Sequence, residues 1–231
     1  MSRSVNTQIP LDLGFREAMG RDDFLVAPCN QEAVAWIDRW PEWSSHILIL
    51  HGPSASGKSH LAAVWAERTN ASFWSPDDVV SEKTCQNHKA IVIERADLLI
   101  GDKEAETKLF HLYNMAKEEQ MHILCTMAQP PSQLSFCVAD LSSRLRSAQS
   151  IGISEPDDAL LSAIIVKLFL DRQIQITPDV LRYILPRMDR SFVAARRLVT
   201  NADKMALAAK KPVSIPLMRQ VLSQMNDDTV Q

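Results

Sequence analysis

The stretch "HILILHGPSASGKSHLAAVWAER", His46 to Arg68, decides the fold. Its first part, "HILIL", is a short apolar run suited to a buried parallel strand, and "SHLAAVWAER" (Ser59 to Arg68) combines helical spacing with good helix formers. Between them, Gly52, Gly57, Lys58 and Ser59 fit G-x-x-x-x-G-K-[ST], the pattern of a phosphate-binding loop. Strand, loop and helix arrive in the order the chemistry needs. Backbone N–H groups and a helix N-terminus form a concavity for phosphate oxygens, and glycines let the backbone come close. The expected nucleotide-binding residues are Gly52, Pro53, Ser54, Ala55, Ser56, Gly57, Lys58, Ser59 and His60. Lys58 would reach the outer phosphates and the Ser59 hydroxyl would ligate Mg²⁺, so ADP or ATP with Mg²⁺ is the expected cofactor.

Outward from this unit, "AIVIERADLL" (Ala90 to Leu99) reads as a second buried strand that runs out into Glu94 and Arg95. A nucleotide hydrolase is expected to carry two acids there, one for the metal and one for the attacking water. The second is an arginine. Further strands are expected near Ala71 to Trp74 and at "HILCT", His122 to Thr126. Helices are expected from about Asn30, as N-cap, to Trp40, and from Glu104 to Glu119 with Leu109, Leu112, Tyr113 and Ala116 on one face. Alternating strands and helices predict an α/β domain with a parallel sheet. Beyond Ser154 the pattern is helical only. "PDDALLSAIIVKLFLDR" has an acidic first turn and a basic end, Thr177-Pro178 reads as an N-cap followed by proline at the first helical position, and further helices fit Ser191 to Ala209 and Pro216 to Met225. The expected division is residues 1–14 as an N-terminal segment, 15–153 as the α/β domain and 154–231 as a small all-α lid.

At 231 residues, with 46% hydrophobic and 23% charged residues, the chain has the make-up of an ordinary globular protein of one or two domains. A net charge of −3 and a pI of about 6.1 argue against a broad electrostatic footprint for nucleic acid. Cys29, Cys85, Cys125 and Cys137 show neither C-x-x-C pairing nor zinc spacing and read as reduced thiols. No apolar run approaches the roughly 18 residues of a membrane span, and "MSRSVNTQIP" lacks a signal-peptide core, so a cytoplasmic protein without a membrane partner is expected.

A phosphate-loop domain followed by a helical lid resembles the AAA+ ATPases. The segments "HILILHGPSASGKSHLAAVWA", "HILCTMAQPPSQL", "DLSSRL" and "DRSFVAARRLV", in this order, are similar to the DnaA-related regulators of the Hda family, over about Gln8 to Met225. The initiator DnaA continues past the lid into a helix-turn-helix domain that reads origin DNA, whereas this sequence ends at Gln231; DNA is expected to be met only indirectly. The resemblance implies that Glu94 is the acid that ligates magnesium. It implies that Arg95 stands where a second acid is usual, with Asp97 as an alternative base. Thr126 falls where the first sensor lies, and Arg190 in "MDRSF" matches the lid arginine that touches nucleotide phosphates. Arg144 in "DLSSRL" matches the arginine finger that acts on a neighbouring subunit's nucleotide, with Arg146 the nearest competitor.

The resemblance also bears on "QIPLDL", Gln8, Ile9, Pro10, Leu11, Asp12 and Leu13, which looks like a peptide that docks on the sliding clamp, the β subunit of DNA polymerase III. Gln8 can hydrogen-bond at a pocket rim while Leu11 and Leu13 fill an apolar groove, and a proline lowers the entropy lost on docking. The implied function is a clamp-docked regulator that stimulates hydrolysis of DnaA-bound ATP through Arg144 and so restrains replication initiation. An independent AAA+ motor of the helicase-loader type and a non-catalytic DnaA-binding scaffold remain as alternatives. Turnover at the chain's own site and homo-oligomerisation are left open.

Overall fold

The structure is a computed structural model that describes residues 24–77 and 89–227. The expected clamp-docking segment, Gln8 to Leu13, and Cys85 lie outside the described residues.

Five parallel strands form one sheet in the order β2-β3-β4-β1-β5, with β1 Ile47–His51, β2 Ser72–Phe73, β3 Ala90–Ile93, β4 His122–Met127 and β5 Gln149–Gly152. Successive side chains of a strand point to opposite faces, and both faces are covered here, so β1 is apolar at every buried position. Ile47 and Ile49 join Ile91, Ile93, Ile123 and Cys125 on one face, covered by α3 (Lys103–Glu118) and α4 (Ala139–Ser147) through Leu109, Leu112, Ala116, Leu141 and Leu145. Leu48 and Leu50 join Val92, Leu124 and Ile151 on the other, covered by α1 (Gln31–Asp38) and α2 (Lys58–Thr69) through Val34, Ile37, Leu61, Ala62 and Trp65.

After β5 the chain is helical, as expected: α5 (Asp158–Leu170), α6 (Pro178–Ile184), α7 (Phe192–Ala209) and α8 (Ile215–Asp227). They share a core of their own, which includes Leu161, Ile165, Phe169, Ile184, Leu198 and Val221. A smaller cluster of Ala27, Leu160 and Phe192, with Leu25, Ala55 and Ile164 against it, joins this lid to the phosphate loop. Asp157 caps α5 by accepting from the Leu160 N–H at 2.7 Å, and Ser191 caps α7 by accepting from Ala194 N–H at 3.1 Å. No described helix is long and apolar enough to cross a membrane.

Asn30 and Thr177 stand at the expected N-cap positions, but neither side chain makes a cap bond. Asn30 is 3% exposed and turns back, accepting from the Ala27 N–H at 2.8 Å and donating to the Leu25 carbonyl at 2.9 Å. After Thr177, Pro178 opens α6. Proline has no N–H to satisfy and its fixed φ already suits the first turn.

Candidate functional site

The phosphate loop leaves β1 at His51. Gly52 has φ +149°, and a Cβ there would fall 2.3 Å from the Ile153 carbonyl oxygen, so only glycine lets the loop turn beside the segment after β5. Gly57, with φ +92°, opens α2, and a Cβ on it would fall 2.6 Å from the Phe24 ring, which stacks at 5.5 Å on His60. Lys58 is the first residue of α2. Its Nζ donates to the carbonyls of Gly52 at 2.8 Å and Pro53 at 2.7 Å, so the ammonium lies folded over the loop. Burial lowers the Lys58 pKa, and the Asp97 carboxylate opposes that shift. Ser59 is exposed in the first turn of α2.

The strand ends bring the acidic residues to the same edge of the sheet. Ile93 of β3 pairs with Cys125 of β4, and Thr126 pairs with Leu50 of β1, so Glu94 follows the strand end level with the start of the loop. Glu94 is exposed. Arg95 takes a left-handed conformation at φ +51°, donates its backbone N–H to the Thr126 hydroxyl at 2.9 Å, and leaves its side chain exposed. Thr126 is thus a buried latch on the turn after β3. Asp97 lies in the short 3-10 helix Ala96–Leu99, and its Oδ1 is buried without a hydrogen-bond partner among the described residues. The acid that acts electrostatically on Lys58 is therefore Asp97, and position 95 contributes a backbone bond.

The donor set suits magnesium. Ser59 Oγ and the Glu94 and Asp97 carboxylates are hard oxygens, and no cluster of three or more His, Cys, Asp or Glu that could cage a metal exists among the described residues. Mg²⁺ is ordinarily held by one or two carboxylates together with nucleotide phosphates and water.

Beside the loop opens a cavity of about 280 Å³. Phe24, Leu25, Asn30, Ala55, Ser56, Gly57 and His60 line it from the α/β part, and Ile164, Lys167, Leu168, Asp171, Phe192 and Arg196 from the lid. Sequence reasoning missed the residues of this list outside the loop. The helix that brings Ile164, Lys167 and Leu168 to the cavity, α5, is apolar nearly all round, so its periodicity carried no signal for this face. Arg190 is not among the lining residues. Its guanidinium donates to Asp158 at the start of α5, at 2.9 Å, with both side chains exposed.

Arg144 is exposed on α4 and has no side-chain hydrogen bond or ion pair among the described residues. Its surroundings locate it. Burial holds the imidazole of His46, the residue before β1, below its ordinary range, and the charges of Lys117, His122 and Arg144 add to this. Arg144 also tempers the burial-driven rise of the Tyr113 pKa. Arg146 is engaged, donating to the Leu134 carbonyl at 3.1 Å with its guanidinium 5.8 Å from the Phe136 ring centroid. The start of α4 is held by Glu106, a fully buried carboxylate that sequence reasoning missed. Its spacing to Leu109 and Tyr113, i, i+3 and i+7, places it on the apolar face of α3 and was the signal.

Residues 163–222 match the family model described as the Hda lid domain. Among solved structures, the chain is similar to domain III of the Thermotoga maritima replication initiation protein DnaA (TM-score 0.71, 17% identity, covering 87% of this chain and 94% of that one). AMPPCP-bound DnaA from Aquifex aeolicus is similar with a TM-score of 0.68, 16% identity and coverage of 88% and 68%. The FIGL-1 AAA domain in complex with ADP follows at 0.64 and 16%, covering 90% and 84%. At these identities the structural matches speak for the fold, and the lid model narrows the kind. The chain thus carries a lid that matches the Hda lid domain on a parallel sheet folded like domain III of DnaA, and it is similar to Hda-like, DnaA-related AAA+ proteins.

Proposed function

We propose that this protein is a nucleotide-binding regulator of replication initiation that stimulates hydrolysis of DnaA-bound ATP through Arg144. It binds ADP or ATP with Mg²⁺ at its own phosphate loop, through Lys58, Ser59 and Glu94, as a structural and signalling ligand. Arg190 in the lid contributes to the phosphates once its exposed bond to Asp158 is exchanged. Gln8 to Leu13 tether the chain to the sliding clamp, so that DNA is met through the clamp. The observation that carries this reading is the place of Arg144: exposed, without a side-chain partner among the described residues, and near enough to the start of the sheet for its charge to reach His46, while the phosphate loop leaves the sheet at His51. A cation so placed serves a nucleotide on another molecule. A finger supplied in trans neutralises charge that develops on the transferring phosphoryl group and is worth roughly 10³ to 10⁵ in rate.

A second reading, an ATPase working on its own nucleotide, draws on Asp97, whose buried oxygen has no partner among the described residues and whose charge reaches Lys58. One assay separates the two: hydrolysis of DnaA-bound ATP with this protein, clamp and DNA added singly and together, beside turnover by the isolated protein. Stimulation that requires all three components supports the regulator; fast turnover alone supports the ATPase. Binding to DnaA without stimulation would leave a scaffold.

A further inference from the structure

We infer that Glu106 is the positioning residue of the Arg144 finger: its buried carboxylate ties the start of α4 to the loop that follows β3, and so sets where Arg144 stands. The inference rests on the finger reading above. It begins from a cost. A carboxylate with no exposed surface is tolerated only where hydrogen bonds replace its water, and Glu106 is 0% exposed. Its Oε1 accepts from the Gly101 N–H at 2.8 Å and the Cys137 N–H at 3.0 Å; its Oε2 accepts from Cys137 N–H at 2.9 Å and Val138 N–H at 2.7 Å. All of these donors are backbone amides. Gly101 follows the 3-10 turn that carries Asp97, and Val138 is the N-cap position of α4. Cys137 adds a further link between the same segments, donating its Sγ–H to the Gly101 carbonyl at 3.3 Å.

Helix α4 depends on this tie. It has nine residues, no side-chain cap of its own, and only Leu141 and Leu145 buried. A seam of two apolar side chains holds a short helix against α3 but resists sliding and rotation about its axis poorly. Glu106 supplies the missing N-terminal partner, and its negative charge suits the helix dipole. Arg144 lies between Leu141 and Leu145 in sequence and has no side-chain partner among the described residues, so the placement of the helix is what aims it.

The isostere Glu106→Gln removes one acceptor and turns an NH₂ towards backbone N–H groups, leaving donor against donor. In the full chain, with DnaA, clamp and DNA, it should fold and bind nucleotide normally while the maximal stimulated rate falls, by about 10²-fold if Arg144 shifts by the order of 1 Å. The concentration giving half-maximal stimulation should stay unchanged. Amide exchange at Gly101, Cys137 and Val138 should quicken together. A merely structural role predicts the reverse split, with fewer active molecules but the unmodified rate at saturation, and that result would overturn the inference. Arg144→Ala is run alongside. If it loses stimulation while Glu106→Gln keeps it, positioning by Glu106 is wrong and the finger stands. If Arg144→Ala keeps full stimulation, the finger reading itself falls and the inference with it. Should Glu106→Gln fail to fold, Glu106→Asp keeps the charge but withdraws it by one methylene, and the same rate and exchange measurements decide by the same outcomes.

Discussion

Arg144 and Lys58 flank opposite ends of the strand β1: α4 ends at Ser147, just before Gln149 of β5 pairs with Leu48, whereas Lys58 follows the loop that leaves β1 at His51. The charge of Arg144 is felt by His46, the residue before the strand, and the charge of Lys58 by His51, its last residue. From His46 to His51 the chain advances about 16 Å at roughly 3.3 Å per residue. A finger must contact the transferring phosphoryl group, so on the proposed reading Arg144 acts on a nucleotide other than the one at Lys58. The sheet separates the phosphate loop from Arg144, which is the arrangement the proposed regulator would need if it binds one nucleotide and acts on another.

For the nucleotide, Lys58→Ala removes a charge-assisted contact to the phosphates and should weaken ADP and ATP binding by about 1.5 to 3 kcal/mol. Calorimetric titration of the purified variant checks this. Unchanged affinity would mean that the bonds of Lys58 to the Gly52 and Pro53 carbonyls persist in the complex and that the lysine has only a loop-stabilising role.

Turnover at the chain's own site should be slow, and what there is should depend on Asp97 rather than position 95. Arg95 has an exposed side chain and contributes its backbone N–H to Thr126, whereas Asp97 acts on Lys58. Asp97→Asn should lower the residual hydrolysis by about 10² to 10⁴, the usual share of a general base, and Arg95→Ala should leave it unchanged. A rise in turnover for Arg95→Asp, with no loss in Asp97→Asn, would return the deciding role to the strand end.

The sheet and the phosphate loop were legible because their signals are local: apolar runs such as Ile47 to Leu50 and Ala90 to Ile93, and a fixed glycine-lysine spacing. What sequence reasoning lost was non-local. The spacing of Glu106 places it on the apolar face of α3, but nothing in its neighbours shows that its oxygens accept from Cys137 and Val138 across the fold. Arg190 finds its partner in Asp158, 32 residues away. Helix α5 is apolar nearly all round, so its periodicity did not show which face turns to the cavity beside Phe24 and His60. Asn30 has the right identity for a cap, but residue type does not tell which backbone group the amide will turn to.

For docking, replacing Gln8, Leu11 and Leu13 by Ala should abolish binding to the sliding clamp with melting temperature almost unchanged, because the proposed role of the segment is to meet a partner. Clamp pull-down and thermal melts are read on the same preparation. Loss of several degrees would indicate that the segment packs on its own domain, and retained clamp binding would remove the motif from the proposal.

Acid should destabilise the fold through its histidines. Burial lowers the pKa of His46, His51 and His122 from the ordinary value of 6.5. Below that value the unfolded chain takes up protons that the folded chain does not, so stability is full above about pH 6.5 and falls as pH drops towards the lowered values. The urea midpoint should fall between pH 7.5 and 5.5. His122, whose ring meets Trp40 and Trp43 edge-on at 6.0 and 5.6 Å, is the site to isolate: His122→Phe keeps the aromatic contacts and should flatten its share of the slope. An unchanged slope would show that other groups, His46 and His51 among them, carry the dependence.

The chemistry on DnaA should be lost with one arginine and not with its neighbour. Arg144 is exposed and has no side-chain partner among the described residues, so Arg144→Ala should cost the fold almost nothing. Arg146 donates to the Leu134 carbonyl and lies over Phe136, so Arg146→Ala should loosen that turn and lower stability modestly. In the hydrolysis assay the order reverses. Arg144→Ala should retain nucleotide and clamp binding yet lose the stimulation, by as much as the 10³ to 10⁵ that a finger in trans is worth. Arg144→Lys should rescue poorly, because an ammonium offers a point charge where the planar guanidinium offers a fork to the phosphoryl oxygens. If Arg146→Ala lost stimulation while Arg144→Ala kept it, the finger would be reassigned to Arg146, which would have to leave Leu134 and Phe136 on meeting DnaA; full stimulation by both variants would exclude a finger from α4.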